Sequence, residues 1–183
     1  KRSGALGNML DTFIERIITG LANQLFNLPL DMVIEHRLYT TCPELRPTQF
    51  VSLAHTHKEN LAVLNDSQAK QITPRLIYNA NLTMNAAYAL FMDHLLGGAT
   101  NYASAYESTR FLRDGRKLFS LWLDVKDSLK PGEEYDLVDA ISAELRLHGW
   151  YDWQSDKKLP PEEGGGVTNE DLLQTKSLAA TMY

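Results

Sequence analysis

Apolar residues recur in pairs every four positions at the start of the chain: Met9/Leu10, Phe13/Ile14, Ile17/Ile18, Leu21/Ala22 and Leu25/Phe26. That period puts one wide apolar face on a helix. Asp11, Glu15, Arg16, Thr19, Asn23 and Gln24 fall mostly on the opposite side. Pro29 then removes one helical hydrogen bond. Either the helix kinks there, or Asn27 or Leu28 caps a second helix that carries Pro29 in its first turn and runs to about Tyr39. Thr40-Thr41-Cys42-Pro43 reads as a break. A further helix is expected from Pro47, with Phe50, Val51, Ala54, Leu61 and Leu64 on its apolar face and Asn65-Asp66-Ser67 closing it. Thr73-Pro74 starts the next one, which continues through Leu76, Ile77, Ala80, Met84, Ala87, Tyr88, Phe91 and Leu95 until Gly97-Gly98 stops it.

A second amphipathic stretch carries Phe111, Leu112, Leu118, Phe119, Leu121, Trp122, Val125 and Leu129, and Gly115 is expected to break or kink it. Pro131-Gly132 is a turn. Glu133 to His148 makes another helix with Leu137, Val138, Ile141 and Leu145 inward and Gly149 as its stop; Trp150-Tyr151-Asp152-Trp153 packs or caps what precedes it. Between Ser155 and Gly166 the composition turns to Lys, Pro, Glu and Gly, the signature of a linker. Thr168-Asn169-Glu170-Asp171 resembles a capping box. Alternating apolar and polar runs and Asn-Gly or Asp-Gly hairpin turns are missing. The fold class is therefore all-α, an irregular bundle of six to seven helices. It divides into a helical domain over 1–154, a flexible loop or linker over 155–167 and a short terminal helix over 168–183.

Composition bounds the function. At 183 residues the chain can bury a core without disulfides. A net charge of −5 argues against nucleic acid as the main partner. Arg110, Arg113, Arg116 and Lys117 do cluster, but Asp114 lies among them, so the cluster reads as a solvated helix face rather than a phosphate site. The single cysteine, Cys42, has no local activating partner and reads as an incidental loop thiol. With no disulfide and no visible signal peptide, a cytoplasmic location is expected. No segment approaches the roughly 18–20 apolar residues of a membrane span, so no membrane partner is expected either. The chain begins Lys1-Arg2-Ser3 without methionine and ends inside an uncapped helical pattern, as a fragment or processed piece would.

Most catalytic motifs are missing. His36, His55, His57, His94 and His148 include no pair four apart, so the helical His-Glu-x-x-His zinc motif is not present. His55 and His57 sit about 200° apart around a helix and cannot share a metal. No Gly-x-Ser-x-Gly elbow occurs, and Gly164-Gly165-Gly166 lacks the Lys-Ser/Thr of a phosphate loop. What remains is a polar stripe at four-residue spacing: Asn23, Asn27, Asp31 and Glu35. It is either the wet face of an amphipathic helix or the lining of a polar cleft or metal site. Leu28, Leu30, Met32, Val33, Ile34 and Leu38 make the second half of this segment apolar nearly all round, and carboxylates on a buried helix need partners. A similar row follows in Tyr78, Asn79, Asn81 and Asn85, where amides in an apolar helix serve hydrogen bonds to another element.

The segment Asn23 to Leu38 resembles the helix that follows the His-Glu-x-x-His helix in zincin-type metallopeptidases, and Asn85 to Met92 is similar to helices that pack behind such sites. The likeness covers a minor part of the chain, and the His-Glu-x-x-His helix itself would have to lie upstream of Lys1. The resemblance implies a zinc-dependent peptidase or hydrolase portion, inactive alone, with zinc as the cofactor. Glu35 would be the metal ligand and Asp31 an alternative ligand or the group orienting it, while Asn27, His36 and Asn23 would touch substrate or stand behind the ligands. The competing reading is a non-catalytic helical interaction or regulatory module with a protein or peptide partner. Trp150, Tyr151 and Trp153 are its candidate anchors.

Overall fold

The computed structural model describes residues 2–153, with side chains from residue 12 onward. The expected linker over 155–167 and terminal helix over 168–183 lie outside the described residues. Among the described residues the fold is all-α, with six helices and no strand.

Helix α1 spans Arg2–Thr41 and runs on through Pro29, so the new helix considered at that proline does not form. The apolar face on both sides of Pro29 explains why. Leu21, Leu25, Leu28 and Met32, spaced four, three and four apart, are all buried. Burying four such side chains is worth about 8 kcal/mol, against about 3 kcal/mol for a proline inside a helix. By length and composition, α1 between Thr12 and Thr41 is also apolar enough to cross a membrane, with a mean hydropathy of 1.3 over 18 residues. The sequence expectation that no segment approaches a membrane span does not hold for this stretch by length and composition.

A single 3-10 turn, Pro43–Leu45, leads into α2 (Arg46–Asn65). The buried edge of α2 is Gln49, Leu53 and His57. Phe50 and Val51, expected inside, face solvent instead. The helix is oriented by a polar contact, because the Gln49 side-chain amide donates to the Glu35 backbone carbonyl at 2.8 Å and to the Glu35 carboxylate. Helix α3 (Ser67–Ile72) was not foreseen. Asp66, read as part of a stop signal, is also the cap that starts it: its Oδ1 accepts from the backbone N–H groups of Gln68 at 2.8 Å and Ala69 at 2.9 Å.

Helix α4 (Arg75–Leu95) is the central element. Every residue from Leu82 to Ala89 is buried, and a helix apolar all round needs neighbours on every side. It has them in α1, α2, α3 and α5. It ends where the glycine pair predicts, with Gly97 at φ 64° and Gly98 at φ 74°. The following loop is organised by Asp93. Its Oδ1 accepts from the Thr100 hydroxyl (2.7 Å) and the Tyr102 N–H (2.8 Å), and its Oδ2 from the Ala103 N–H (2.9 Å), which fixes the 3-10 helix Tyr102–Tyr106.

Helix α5 (Arg110–Val125) runs unbroken through Gly115, contrary to expectation. The glycine is there for packing. A Cβ at this position would lie 2.9 Å from the Ala87 backbone nitrogen and 3.1 Å from both Ala86 Cβ and the Thr83 carbonyl oxygen, so α4 and α5 approach as closely as their backbones allow. Trp122 of α5 is fully buried, ringed by Phe91 (centroids 5.0 Å), His36 (5.5 Å), Phe119 (5.8 Å) and His94 (6.0 Å). The Pro131-Gly132 turn forms as expected, with Gly132 at φ 94°. Helix α6 (Glu134–Glu144) stops short of the expected Gly149, because Arg146 turns left-handed at φ 62° and the Leu147 N–H returns to the Ser142 carbonyl at 2.8 Å. Residues 149–153 belong to a separate unit, in which the Tyr151 and Trp153 rings meet edge to face at 5.5 Å.

Candidate functional site: a polar cleft on helix α1

The stripe on α1 divides when the helix is seated. Asn27 and Asp31 line a cleft of about 210 Å3 between α1, α2 and α4. Thr56 and Asn60 of α2 and Asn85 and Tyr88 of α4 complete its polar wall. Glu35, one turn beyond Asp31, is held beside the cleft by Gln49. Asn23 is exposed and contributes nothing to the lining. His36 turns the other way, onto Trp122, where burial, and then the positive charge of Lys126, lowers its pKa. The residues expected around one metal thus reach two different sides of α1.

The floor of the cleft is tied together by amides. Asn81 donates to the Gln24 Oε1 (2.6 Å), Gln24 to the Asn85 Oδ1 (2.7 Å), and Asn85 back to the Asn81 Oδ1 (3.3 Å). This closed ring crosses from α1 to α4 and holds Asn85 in one orientation. It is the interhelical role expected of amides in the downstream row, for Asn81 and Asn85 at least. Asn79 and Tyr78 sit elsewhere, against α5 and α3.

The electrostatics favour a positive visitor. The Asp31 pKa is raised, first by burial and then by the negative charge of Glu35. Burial followed by Glu35 and Asp31 pushes the Tyr88 phenol up, so it keeps its proton and can donate. The cleft therefore offers one carboxylate under strain from its neighbour, one phenolic donor, and amides and a hydroxyl that both donate and accept.

Sequence reasoning missed Thr56, Asn60, Gln24 and Tyr88. Tyr88 was counted with the apolar face of α4, as its spacing implies; only the position of α1 turns its hydroxyl end toward two carboxylates.

As a zinc site this set falls short. Zinc favours nitrogen and sulfur donors, and structural or catalytic sites use three or four protein ligands. Asp31 and Glu35 offer two carboxylates, one of them already bonded to Gln49, and among the described residues no group of three or more His, Cys, Asp or Glu comes together.

No family model matches the chain, and neither a curated protein nor a solved structure is detectably similar to it.

Proposed function

We propose that this chain is a helical interaction module whose cleft between α1, α2 and α4 receives a polar peptide segment carrying a lysine or arginine. The observation that carries the reading is Asp31, an exposed carboxylate one helical turn before Glu35, at the edge of a cleft walled by amides and hydroxyls. A cation placed there relieves the repulsion between the two acids. Asn27, Asn60 and Asn85 are suited to a peptide backbone, because each side chain both donates and accepts. The amide ring behind them lowers the entropy cost of recognition. Neither nucleic acid nor a membrane is part of this proposal, and a cytoplasmic setting agrees with the free thiol of Cys42.

The test is selection from a displayed library of random peptides. Wild-type protein should enrich sequences with Lys or Arg, and Asp31→Asn should bind the enriched peptides at least tenfold more weakly. Enrichment without basic residues, or equal binding by Asp31→Asn, sinks the proposal.

The paired acids support a second reading: the zincin-like hydrolase portion, with Asp31 and Glu35 turned to a divalent zinc ion. It needs histidine ligands from outside the described residues. Zinc binding by calorimetry, abolished in Glu35→Gln, would favour it over the peptide module.

A further inference from the structure

A second cleft, of about 390 Å3, opens on the far side of α4, between α4, α5 and the end of α6. Arg110, Arg113 and Lys117 of α5 line it, as does Arg146 beyond α6. Asp114 and Glu144 are the carboxylates there. Both are already engaged: Arg113 pairs with Asp114 at 3.0 Å and Lys117 with Glu144 at 3.5 Å. Arg110 and Arg146 are left without an ion pair among the described residues, in a protein whose overall charge is negative. The α5 cluster is solvated, as its sequence implies, but in the cleft Arg110, Arg113 and Lys117 are joined by Arg146 from the turn after α6.

Arg146 carries a second, independent signal. It has φ 62°, a left-handed conformation at a helix end where glycine is the ordinary residue. An arginine there accepts local backbone strain that glycine would avoid. Strain of this kind concentrates at functional positions, and here it sets a guanidinium on the rim of a basic cleft. Asn79 and Thr83 on the α4 side add neutral polar groups. The volume lies in the range of small-ligand pockets.

We propose that this cleft binds a small soluble phosphate monoester, with Arg110 and Arg146 as the principal contacts to the phosphate oxygens. Two guanidiniums, one on α5 and one in the turn after α6, suit a dianion with three oxygens, because each presents a planar fork of donors. Arg113 and Lys117, exposed and weakly paired, add long-range attraction.

The test uses isotope-labelled protein and three probes at matched ionic strength: inorganic phosphate, glycerol 3-phosphate and sodium chloride. Both phosphates should give saturable chemical-shift changes at Arg110, Arg146 and Thr83, and chloride should give none. Arg146→Gly separates recognition from folding, since glycine relieves the left-handed strain. It should melt no lower than wild type and bind glycerol 3-phosphate at least tenfold more weakly; Arg110→Gln should weaken binding similarly. No saturable change up to about 20 mM, a concentration that would reveal even millimolar affinity, overturns the proposal. So does an equal response to chloride, or unchanged binding in both variants.

Discussion

Gly115→Ala sets two opposed effects against each other. In an unpacked helix, alanine is favoured over glycine by about 1 kcal/mol. At position 115 the added Cβ would sit 2.9 Å from the Ala87 nitrogen and 3.1 Å from the Thr83 carbonyl oxygen, both backbone atoms of α4. Neither can rotate away, so α4 and α5 must separate. Inserting a methyl group into such a contact costs about 1–3 kcal/mol, and because α4 is the central helix the cost falls toward the upper end. After subtracting the propensity gain, we expect a net loss of about 1–2 kcal/mol. In a domain of this size that lowers Tm by about 3–6 °C. Gly20→Ala is the internal control. Gly20 lies inside α1 with nothing within 4 Å of its Cβ position, so the same substitution should stabilise by about 0.5–1 kcal/mol. Urea unfolding of both variants, read by far-UV circular dichroism, gives the two signs directly. A stabilised Gly115→Ala would mean that the α4–α5 contact is not as close as described.

Other substitutions probe single features. Met32→Ala removes a fully buried side chain from the α1 face and should cost about 2–5 kcal/mol by denaturant titration; a loss below 1 kcal/mol, the size of an ordinary surface change, would place that face in solvent. Asp93→Ala strips three hydrogen bonds from the loop after α4 and should cost about 2–3 kcal/mol, with amide exchange of Tyr102 and Ala103 accelerating first. The Asp31 pKa is raised on folding, so its contribution is most favourable below the unfolded value of 3.8 and declines as pH rises through the folded value. Asp31→Asn should therefore melt higher than wild type near pH 7 and lose that advantage at pH 3; no gain at neutral pH would contradict the upward pKa shift of this carboxylate. The His57 pKa is lowered, with burial outweighing the opposing charge of Asp93. Stability should thus fall as pH drops through the window between 6.5 and the folded value, and His57→Gln should flatten that slope in melts taken at successive pH values.

Much of the fold is legible in periodicity and stop signals. The α4 pattern and its Gly97-Gly98 end correspond to the structure because local backbone chemistry determines them; at the start Pro74 rather than Thr73 takes the cap position. Where the reading fails, a tertiary contact decides. Pro29 and Gly115 are helix breakers by propensity, yet one is spanned by a long buried face and the other is needed for close approach to α4. Phe50 and Val51 have the spacing of a core face, but Gln49 reaching Glu35 rotates α2 so that they meet solvent. The left-handed turn at Arg146 has no glycine to announce it. For the site, i, i+4 spacing found the stripe, of which Asn27 and Asp31 line one cleft. Helix geometry alone points the neighbours Glu35 and His36 in different directions, about 100° apart, but not to the surroundings they meet, Gln49 of α2 and Trp122 of α5 respectively. Thr56 and Asn60 enter the cleft only through helix packing, which no local pattern on α2 reports.

The central claim is that the cleft between α1, α2 and α4 accepts a cationic peptide group beside Asp31. Side-chain amide resonances of Asn27, Asn60 and Asn85 offer direct reporters on its wall. Titration with a selected lysine-containing peptide should shift these three signals saturably, and should leave them unmoved in Asp31→Asn. Shifts confined to another surface, or shifts at these amides produced by zinc and not by the peptide, would contradict the account.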